Sequence, residues 1–262
     1  MRALPIMLLC GAAAAVRPGR PLEYAAGQFT CAAFHQNIRS DIRTESRGRT
    51  RIETAGRRAL ILLQAVERAD GLAAEAWFDS LEVWRGTGRG ADRPDTDGLL
   101  GGRCRGLLRP DGTWRAEDTP FIPDEVAELA DLSNPVADLL PRLPPVRLLP
   151  GQRWSDSAGY DVRRLGDSTH SGVLLERYRV TRERRSSETR TMADSVPFEV
   201  SERERQHGTF VWHPLLGVLS YDRAITVETS IPSAGPIRDA IRSRLEQRVT
   251  LTRLPSDSAT CR

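Results

Sequence analysis

Two histidines have a spacing that could serve a metal ion. His207 and His213 are six residues apart, so on a β-strand both side chains would lie on one face. A metal site needs at least a third ligand, for which Asp222 and His35 are candidates, but no pattern joins them to the pair. Surface histidines at a hairpin are the favoured interpretation. We therefore predict no metal and no other cofactor.

A serine could act as a nucleophile. The tripeptide Gly166-Asp167-Ser168, with His170 nearby, is similar to the nucleophile block of one class of lipases and esterases. Catalysis would also need a base, an orienting acid and oxyanion donors. In those enzymes the block lies near the mature N-terminus of an α/β fold, which this chain lacks. A turn between two strands explains the tripeptide without chemistry, so a serine hydrolase is the least favoured function and no enzyme is predicted.

The segment 86–102 combines glycines with acidic residues. The run 92–98 hints at a calcium loop, but an EF-hand would need acids at alternating positions from Arg93 and a glutamate at Cys104, and both conditions fail. The run 86–90 lacks the spacing of a dinucleotide-binding loop, and no helix follows it. We interpret the segment as a mobile, solvated loop.

The number and positions of the cysteines bear on whether the protein is exported and whether it forms a disulfide. Cys10 could be lipidated as in a bacterial lipoprotein, although Leu9 stands where such a motif has a small residue. Export would leave Cys31, Cys104 and Cys261, an odd number that allows one internal disulfide. We predict that Cys104 pairs with Cys261, because both lie beside flexible loop or tail sequence. Three unpaired thiols are the alternative.

The first residues have the features of a secretory signal peptide. Arg2 precedes an apolar run over 3–16, and the small residues 12–15 suit signal-peptidase cleavage. The run is shorter than the about 20 apolar residues that span a bilayer, and no later segment reaches that length. We predict a signal peptide over 1–15 and an exported protein, periplasmic or associated with the outer membrane, without a transmembrane span.

The charged residues are nearly balanced, with 38 basic and 35 acidic side chains and a formal net charge of +3. All the basic ones are arginines, and lysine is absent from the 262 residues. A high-GC bacterial genome explains that bias, because arginine codons are GC-rich. The small excess excludes the strongly basic nucleic-acid-binding class, so we interpret the arginines as solubilising residues on strand faces.

Alternation of polar and apolar residues dominates the chain and indicates β-strands. In the segment 28–36 the alternation puts Phe29, Cys31, Ala33 and His35 on one face. We predict a mainly β fold, a curved antiparallel sheet similar to half of a barrel. Further predicted strands cover 59–67, 73–84, 172–184, 188–200, 209–212, 218–229 and 246–254.

The middle of the chain has a helical pattern. Ile122, Val126 and Leu129 repeat at helical spacing after an acidic first turn. A second short turn is predicted around 133–140, and four prolines over 141–150 then impose an extended chain. We therefore predict one or two short helices between two β-rich segments.

These patterns favour one β-rich domain over 16–255 with a flexible tail at 256–262. Recurring motifs allow the segments 22–118 and 150–255 to be duplicated halves, joined by the helix and proline-rich connector 119–149. A single continuous sheet without duplication is the alternative, and the sequence leaves both open.

The stretch from Leu143 to Trp154, with the hairpin residues 208–219, resembles the "LP-x-x-PV…G-x-x-W" signature of uncharacterised exported bacterial β proteins. The resemblance implies a fold distantly like the half-barrels of lipoprotein carriers of the LolA/LppX type. It also implies an envelope location and an apolar ligand cavity. It carries over no catalytic residue.

The leading hypothesis is a non-enzymatic cell-envelope protein that binds a lipid or another hydrophobic ligand on the concave face of its sheet. The alternative is a structural or scaffolding module that binds other envelope proteins through an exposed apolar patch. Strand alternation alone selects the candidate ligand-lining residues Phe29, Leu62, Trp77, Tyr178 and Phe210.

Overall fold

The computed structural model describes residues 21–87, 90–127, 132, 136, 139–170, 172–191, 197–233 and 239–255. The predicted signal peptide and tail, with Cys10 and Cys261, lie outside these residues. Two 3-10 helices cover Ala26–Gln28 and Asp97–Leu99, and one α-helix, α1, covers Asp124–Ala127. The strands are β1 Ala32–Ser46, β2 Arg49–Arg68, β3 Gly71–Thr87, β4 Gly90–Asp92, β5 Cys104–Leu108, β6 Trp114–Asp118, β7 Arg153–Ser155, β8 Tyr160–His170, β9 Val173–Thr191, β10 Pro197–His213, β11 Gly217–Ile231 and β12 Ile241–Arg253.

All the strands belong to one curved, unclosed antiparallel sheet. The strand order is β6-β5-β3-β2-β1-β12-β11-β10-β9-β8-β7, and β4 pairs with the end of β3. Most neighbours along this path are hairpin partners, whereas β1 and β12 bring the two ends of the chain together in register from Phe34–Arg253 to Glu45–Arg242. The predicted fold class, mainly β with a curved antiparallel sheet, is confirmed.

The two faces of the sheet differ in composition. We call the face that carries the main core the inner face. The core lies at one end of the strands, which we call the proximal end, and it includes Phe34, Tyr178, Phe210 and Leu251. The opposite, outer face is mostly charged. The distal end is where β1 turns into β2, beyond Ser46. Strand alternation with a period of two separates the faces.

The connector is the segment 119–149, and its described residues cover the proximal inner face. Its buried side chains join the main core, namely Val126, Leu132, Val136, Leu139, Leu140, Leu143 and Leu148. Tyr24 holds it by donating a hydrogen bond from its hydroxyl to the carbonyl of Pro141 at 3.0 Å. Gly112 allows the close approach, since its φ is +88° and a Cβ there would lie 2.7 Å from that carbonyl oxygen.

The helical expectation for the connector is met in part. A helix is present at α1, but it is four residues long, and Val126 is its buried residue. Leu129 lies outside the described residues. Over 139–149, where Pro141, Pro144 and Pro145 prevent a helix, side chains enter the core from irregular backbone, for example at Leu143.

The segment predicted as a mobile loop, 86–102, contains regular structure. Its first part ends β3 and forms β4, and its second part forms the 3-10 helix Asp97–Leu99. Thr96 fixes this helix by donating a hydrogen bond to the carbonyl of Leu81 at 2.5 Å. The glycine content led to a prediction that was too irregular, because pairing of β4 with β3 and the hydrogen bond from Thr96 to Leu81 of β3 order this segment.

The two β-rich segments form one sheet, in which β1 of the first segment pairs with β12 of the second. Across the sheet both segments run in descending chain order, from β6 to β1 and from β12 to β7. Their strand lengths differ, since β2 spans 20 residues and β8 spans 11. The duplication hypothesis stays a prediction.

Candidate functional site

Three of the five predicted ligand-lining residues belong to the filled part of the core. Phe29, Tyr178 and Phe210 are each at most 1% exposed. The rings of Tyr178 and Phe210 stack with centroids 4.9 Å apart and an interplanar angle of 12°. Since the connector packs over this region, these side chains contact the chain itself and leave no room for a ligand.

The other two lie on the opposite face, which corrects the predicted set. Leu62 and Trp77 face each other across β2 and β3 on the outer face, in a small cluster with Ala33. Alternation failed here for two reasons. The apolar run of β2 is continuous and hides its phase, and a β-bulge in β3 shifts the register next to Ile61.

The predicted disulfide between Cys104 and Cys261 is wrong. Cys104 is a free, buried thiol, whereas Cys31 is disulfide-bonded and its partner lies outside the described residues. Burial, with a smaller contribution from Asp118, raises the pKa of the Cys104 thiol to about 11. Cys104 therefore has little thiolate character near neutral pH. The prediction failed because loop neighbours suggested exposure, while Cys104 itself begins β5 against β3.

The histidine pair cannot share a metal ion. His207 and His213 are both on β10 at even spacing, but six residues of strand separate them by about 20 Å. The Nδ1 atom of His213 accepts hydrogen bonds from the backbone N–H groups of Leu215 and Leu216, at 3.0 and 3.1 Å. Its role is to cap the β10–β11 turn. Among the described residues no cluster of three potential ligands occurs.

The possible nucleophile block is part of strand β8, so the predicted turn at this position is wrong. Gly166 marks a β-bulge next to Arg164, which explains the glycine. The carboxylate of Asp167 accepts hydrogen bonds from the guanidinium of Arg164. Ser168 is exposed and pairs with Leu175. The side chain of His170 lies outside the described part.

The run 92–98 makes local contacts. Asp95 accepts a hydrogen bond from the backbone N–H of Asp97 at 2.9 Å, an Asx turn. The guanidinium of Arg93 donates to Glu82 at 3.0 Å. These exposed acids face water, as the solvated-turn interpretation expects.

A buried ionic cluster ties the connector to the sheet. Glu176 is 1% exposed and contacts Arg147 of the connector, the hydroxyl of Tyr178, and Arg164 at 3.7 Å. Arg164 also donates to the carbonyl of Leu148 at 2.7 Å. Burial raises the pKa of Tyr178, and its hydrogen bond to Glu176 adds to the effect. All four polar side chains have partners inside the protein, which is typical of a structural cluster.

The distal inner face carries aliphatic side chains that the main core does not include. We call them the distal stripe, and they occupy the neighbouring strands β1, β12 and β11. Ile38 and Val249 at its base are buried, with 7% and 1% exposure, and the others are half-buried. The distal stripe consists of Ile38, Ile42, Ile225, Val227, Leu245 and Val249.

Polar groups border the distal stripe. On one side Arg182 of β9 donates to Glu204 of β10 at 3.2 Å. On the other side Glu53 of β2 is 6% exposed and accepts hydrogen bonds from Arg85 at 3.1 and 2.5 Å. The Arg85 hydrogen bonds lower the pKa of Glu53, against an opposing effect of burial. The inner face at this end is therefore mainly aliphatic with charged margins, and it also contains the polar pair Ser40 and Gln247 and the buried Arg223.

Glu53→Gln is expected to make folding less dependent on acid pH. Because the folded-state pKa lies below the ordinary 4.5, the ionised carboxylate stabilises the fold above pH 4.5 and this contribution is lost as pH falls through the lowered value. Its arginine partners are 36% and 72% exposed, so solvent screening limits the loss to about 1–2 kcal/mol. Urea unfolding between pH 3 and 7 measures it. Glu82→Gln is the matched control, and equal pH profiles for both variants would contradict the prediction.

Gln36 lies beside the base of the distal stripe on β1. It is completely buried, and neither atom of its side-chain amide has a hydrogen-bond partner among the described residues. Gln206, also buried on the inner face, differs because its amide donates to the hydroxyl of Tyr221 at 2.7 Å. Buried polar groups without partners are uncommon in folded proteins.

The sequence prediction missed the distal stripe. A signal existed in β12, where Leu245, Val249 and Leu251 alternate with charged or polar residues. The alternation indicates which face of the sheet these residues lie on, but not how deeply their side chains are buried. The described part of the connector packs on the proximal residues, which separates side chains that are packed from those that stay half-buried.

Fold and site together define the class: a mainly β protein with one curved antiparallel sheet, filled proximally by its own connector and aliphatic at the distal inner face. No protein-family model and no curated protein matches the chain. The solved structure described as a DUF1329 family protein from Desulfovibrio piger aligns over 82% of this chain and 83% of its own, at 8% identity and a TM-score of 0.13. At that score nothing about this chain follows. None of the described helices is long and apolar enough to cross a membrane.

Proposed function

We propose that the protein is an exported, non-enzymatic binding protein of the cell envelope that holds a lipid acyl chain on the distal stripe. The observation that carries the proposal is the half-buried state of Ile42, Ile225, Val227 and Leu245, aliphatic side chains that no core cluster includes. Covering such a surface with an apolar ligand is favourable by about 25 cal/mol per Å². Export rests on the signal-peptide pattern of the first 15 residues.

The shape of the distal stripe favours an acyl chain over a protein partner. Three neighbouring strands make it about 10 Å wide, and the four residue steps from Ile38 to Ile42 give it about 13 Å of length. A strip of this size is far smaller than the about 800 Å² that each partner buries in a standard protein interface, whereas it can accommodate part of a single hydrocarbon chain.

The margins suit an amphiphile. The carboxylates of Glu53 and Glu204, each paired with arginine, border the apolar strip on opposite sides. Within the strip Gln247 donates to the hydroxyl of Ser40 at 3.2 Å, which places polar atoms near the apolar side chains. A ligand with one apolar chain and a polar head would meet both kinds of surface.

The test compares two isoleucines on opposite faces. Ile42→Gln adds a polar group to the distal stripe, whereas Ile52→Gln changes a 62% exposed residue on the outer face. We expect Ile42→Gln to weaken binding of a fluorescent fatty acid about tenfold, since a lost methylene-rich contact is worth about 1–2 kcal/mol. Ile52→Gln should bind like the natural protein.

Native mass spectrometry of protein purified from its own membrane fraction completes the test. A co-purified lipid that is lost in Ile42→Gln supports the proposal. Protein that is free of lipid and does not bind the fatty acid would contradict it. The scaffolding alternative predicts lipid-free protein that binds another envelope protein instead.

A further inference from the structure

The outer face carries a group of arginines that we call the outer arginine band. All are exposed, and none forms an ion pair with an acid among the described residues, whereas most arginines on the long strands do. They lie on β1, β12, β9 and β8. The band consists of Arg39, Arg248, Arg177, Arg179 and Arg163.

Two pairs in the band place like charges directly opposite each other. Arg39 faces Arg248 across β1 and β12, and Arg163 faces Arg179 across β8 and β9. Directly opposed like charges are destabilising in a sheet, because their Cβ atoms are about 4.5–5.5 Å apart. The next outer-face residues along these two strands, Asp41 and Glu246, also face each other.

A second opposed pair on the same two strands shows how such repulsion is otherwise relieved. Arg43 faces Arg244, four residues from the first pair. Here Arg43 pairs with Glu45 at 2.8 Å, and Arg244 pairs with Glu246 at 2.7 Å. The same geometry is therefore neutralised at one position and left uncompensated at the other.

A groove of about 650 Å³ lies between the two uncompensated pairs. Arg248 and Arg179 stand on its opposite sides, and His207 and Asp222 also line it. Its floor includes Ala224, whose small side chain leaves the groove open between the flanking strands.

We propose that the outer arginine band docks the protein on a membrane surface of anionic phospholipids. Guanidinium groups bind phosphate oxygens with two parallel hydrogen bonds. Arg248 and Arg179 are three inter-strand intervals apart, about 14 Å. One phosphate cannot bridge that distance, whereas neighbouring headgroups of a bilayer occupy both pairs at once.

This docking does not depend on the inner-face ligand, since the two surfaces lie on opposite faces of the sheet. A nucleic acid also presents phosphates, and the experiment includes it as a contrary outcome.

The test uses two double variants of the full mature chain with the same change of charge. Arg39→Gln/Arg248→Gln removes an uncompensated pair, and Arg43→Gln/Arg244→Gln removes the compensated pair. Binding to vesicles of phosphatidylglycerol and phosphatidylcholine is measured by flotation at two salt concentrations. We expect the first variant to lose affinity about 25-fold, at about fivefold per arginine, and the second to lose little.

Three results would overturn the proposal. Equal losses in both variants would show that net charge alone attracts the protein. Equal binding to pure phosphatidylcholine would show that anionic headgroups are not required, and preference for duplex DNA over anionic vesicles would assign the band to nucleic acid. Thermal unfolding of both variants checks that the fold is intact.

Discussion

Glu176→Ala is expected to lower the free energy of unfolding by about 3–5 kcal/mol, which is the usual cost of removing one partner from a buried ion pair. Arg164 would stay buried at 5% exposure and lose one of its carboxylates, and the hydroxyl of Tyr178 would lose its acceptor. Arg147, which joins the connector to the cluster, would be released. Chemical unfolding measures the loss, and limited proteolysis shows whether the connector opens first.

The matched control is Glu188→Ala on the same strand. Glu188 pairs with Arg190, but the two side chains are 64% and 60% exposed, so the expected loss is below about 1 kcal/mol. A loss of that small size for Glu176→Ala would contradict the structural role of the cluster. The double variant Glu176→Leu/Arg164→Met should recover part of the loss, because it leaves no buried charge without a partner.

Gln36→Leu is expected to raise the free energy of unfolding by about 1–3 kcal/mol, the desolvation cost of a buried amide without hydrogen bonds. Leucine has a similar size and suits the apolar neighbours of Gln36, whose cross-strand partners are Leu251 and Ala59. The measurement is urea unfolding with an unchanged m-value, which shows that the transition itself is comparable.

Gln206→Leu provides the control with the opposite sign. Its amide donates to the hydroxyl of Tyr221, so the substitution removes a buried hydrogen bond and is expected to destabilise the protein by about 0.5–1.5 kcal/mol. Stabilisation by both variants, or by neither, would mean that the two amides do not differ in hydrogen bonding. The opposite signs test the described geometry directly.

Much of the fold could be predicted because alternation is a local property. The strands β11 and β12 and the first part of β9 appear in the sequence as polar and apolar residues in turn, and the structure confirms a mainly β antiparallel sheet. The pairing of β1 with β12 could not be predicted. It joins residues more than 190 positions apart, and no turn sequence specifies it.

The candidate site was harder to predict, because local patterns do not reveal what covers a face. Tyr178 and Phe210 were assigned to an inner face correctly, but the connector fills the space in front of them. Leu62 and Trp77 were assigned to the wrong face because of a continuous apolar run and a bulge. Cys104 was assigned a disulfide from its loop neighbours, although it is buried in β5 as a free thiol.

By itself the sequence determined that this chain forms antiparallel strands, because the period of two and the absence of long helical patterns leave little else. The sequence also determined that basic and acidic side chains are nearly equal in number. Only the tertiary structure decided which arginines stay uncompensated, since that depends on which residues of distant strands stand opposite each other, as Arg39 and Arg248 do. It also decided that the described part of the connector packs on the proximal inner face, while the distal stripe stays largely half-buried. Both are consequences of long-range register, which a strand's own residues do not encode.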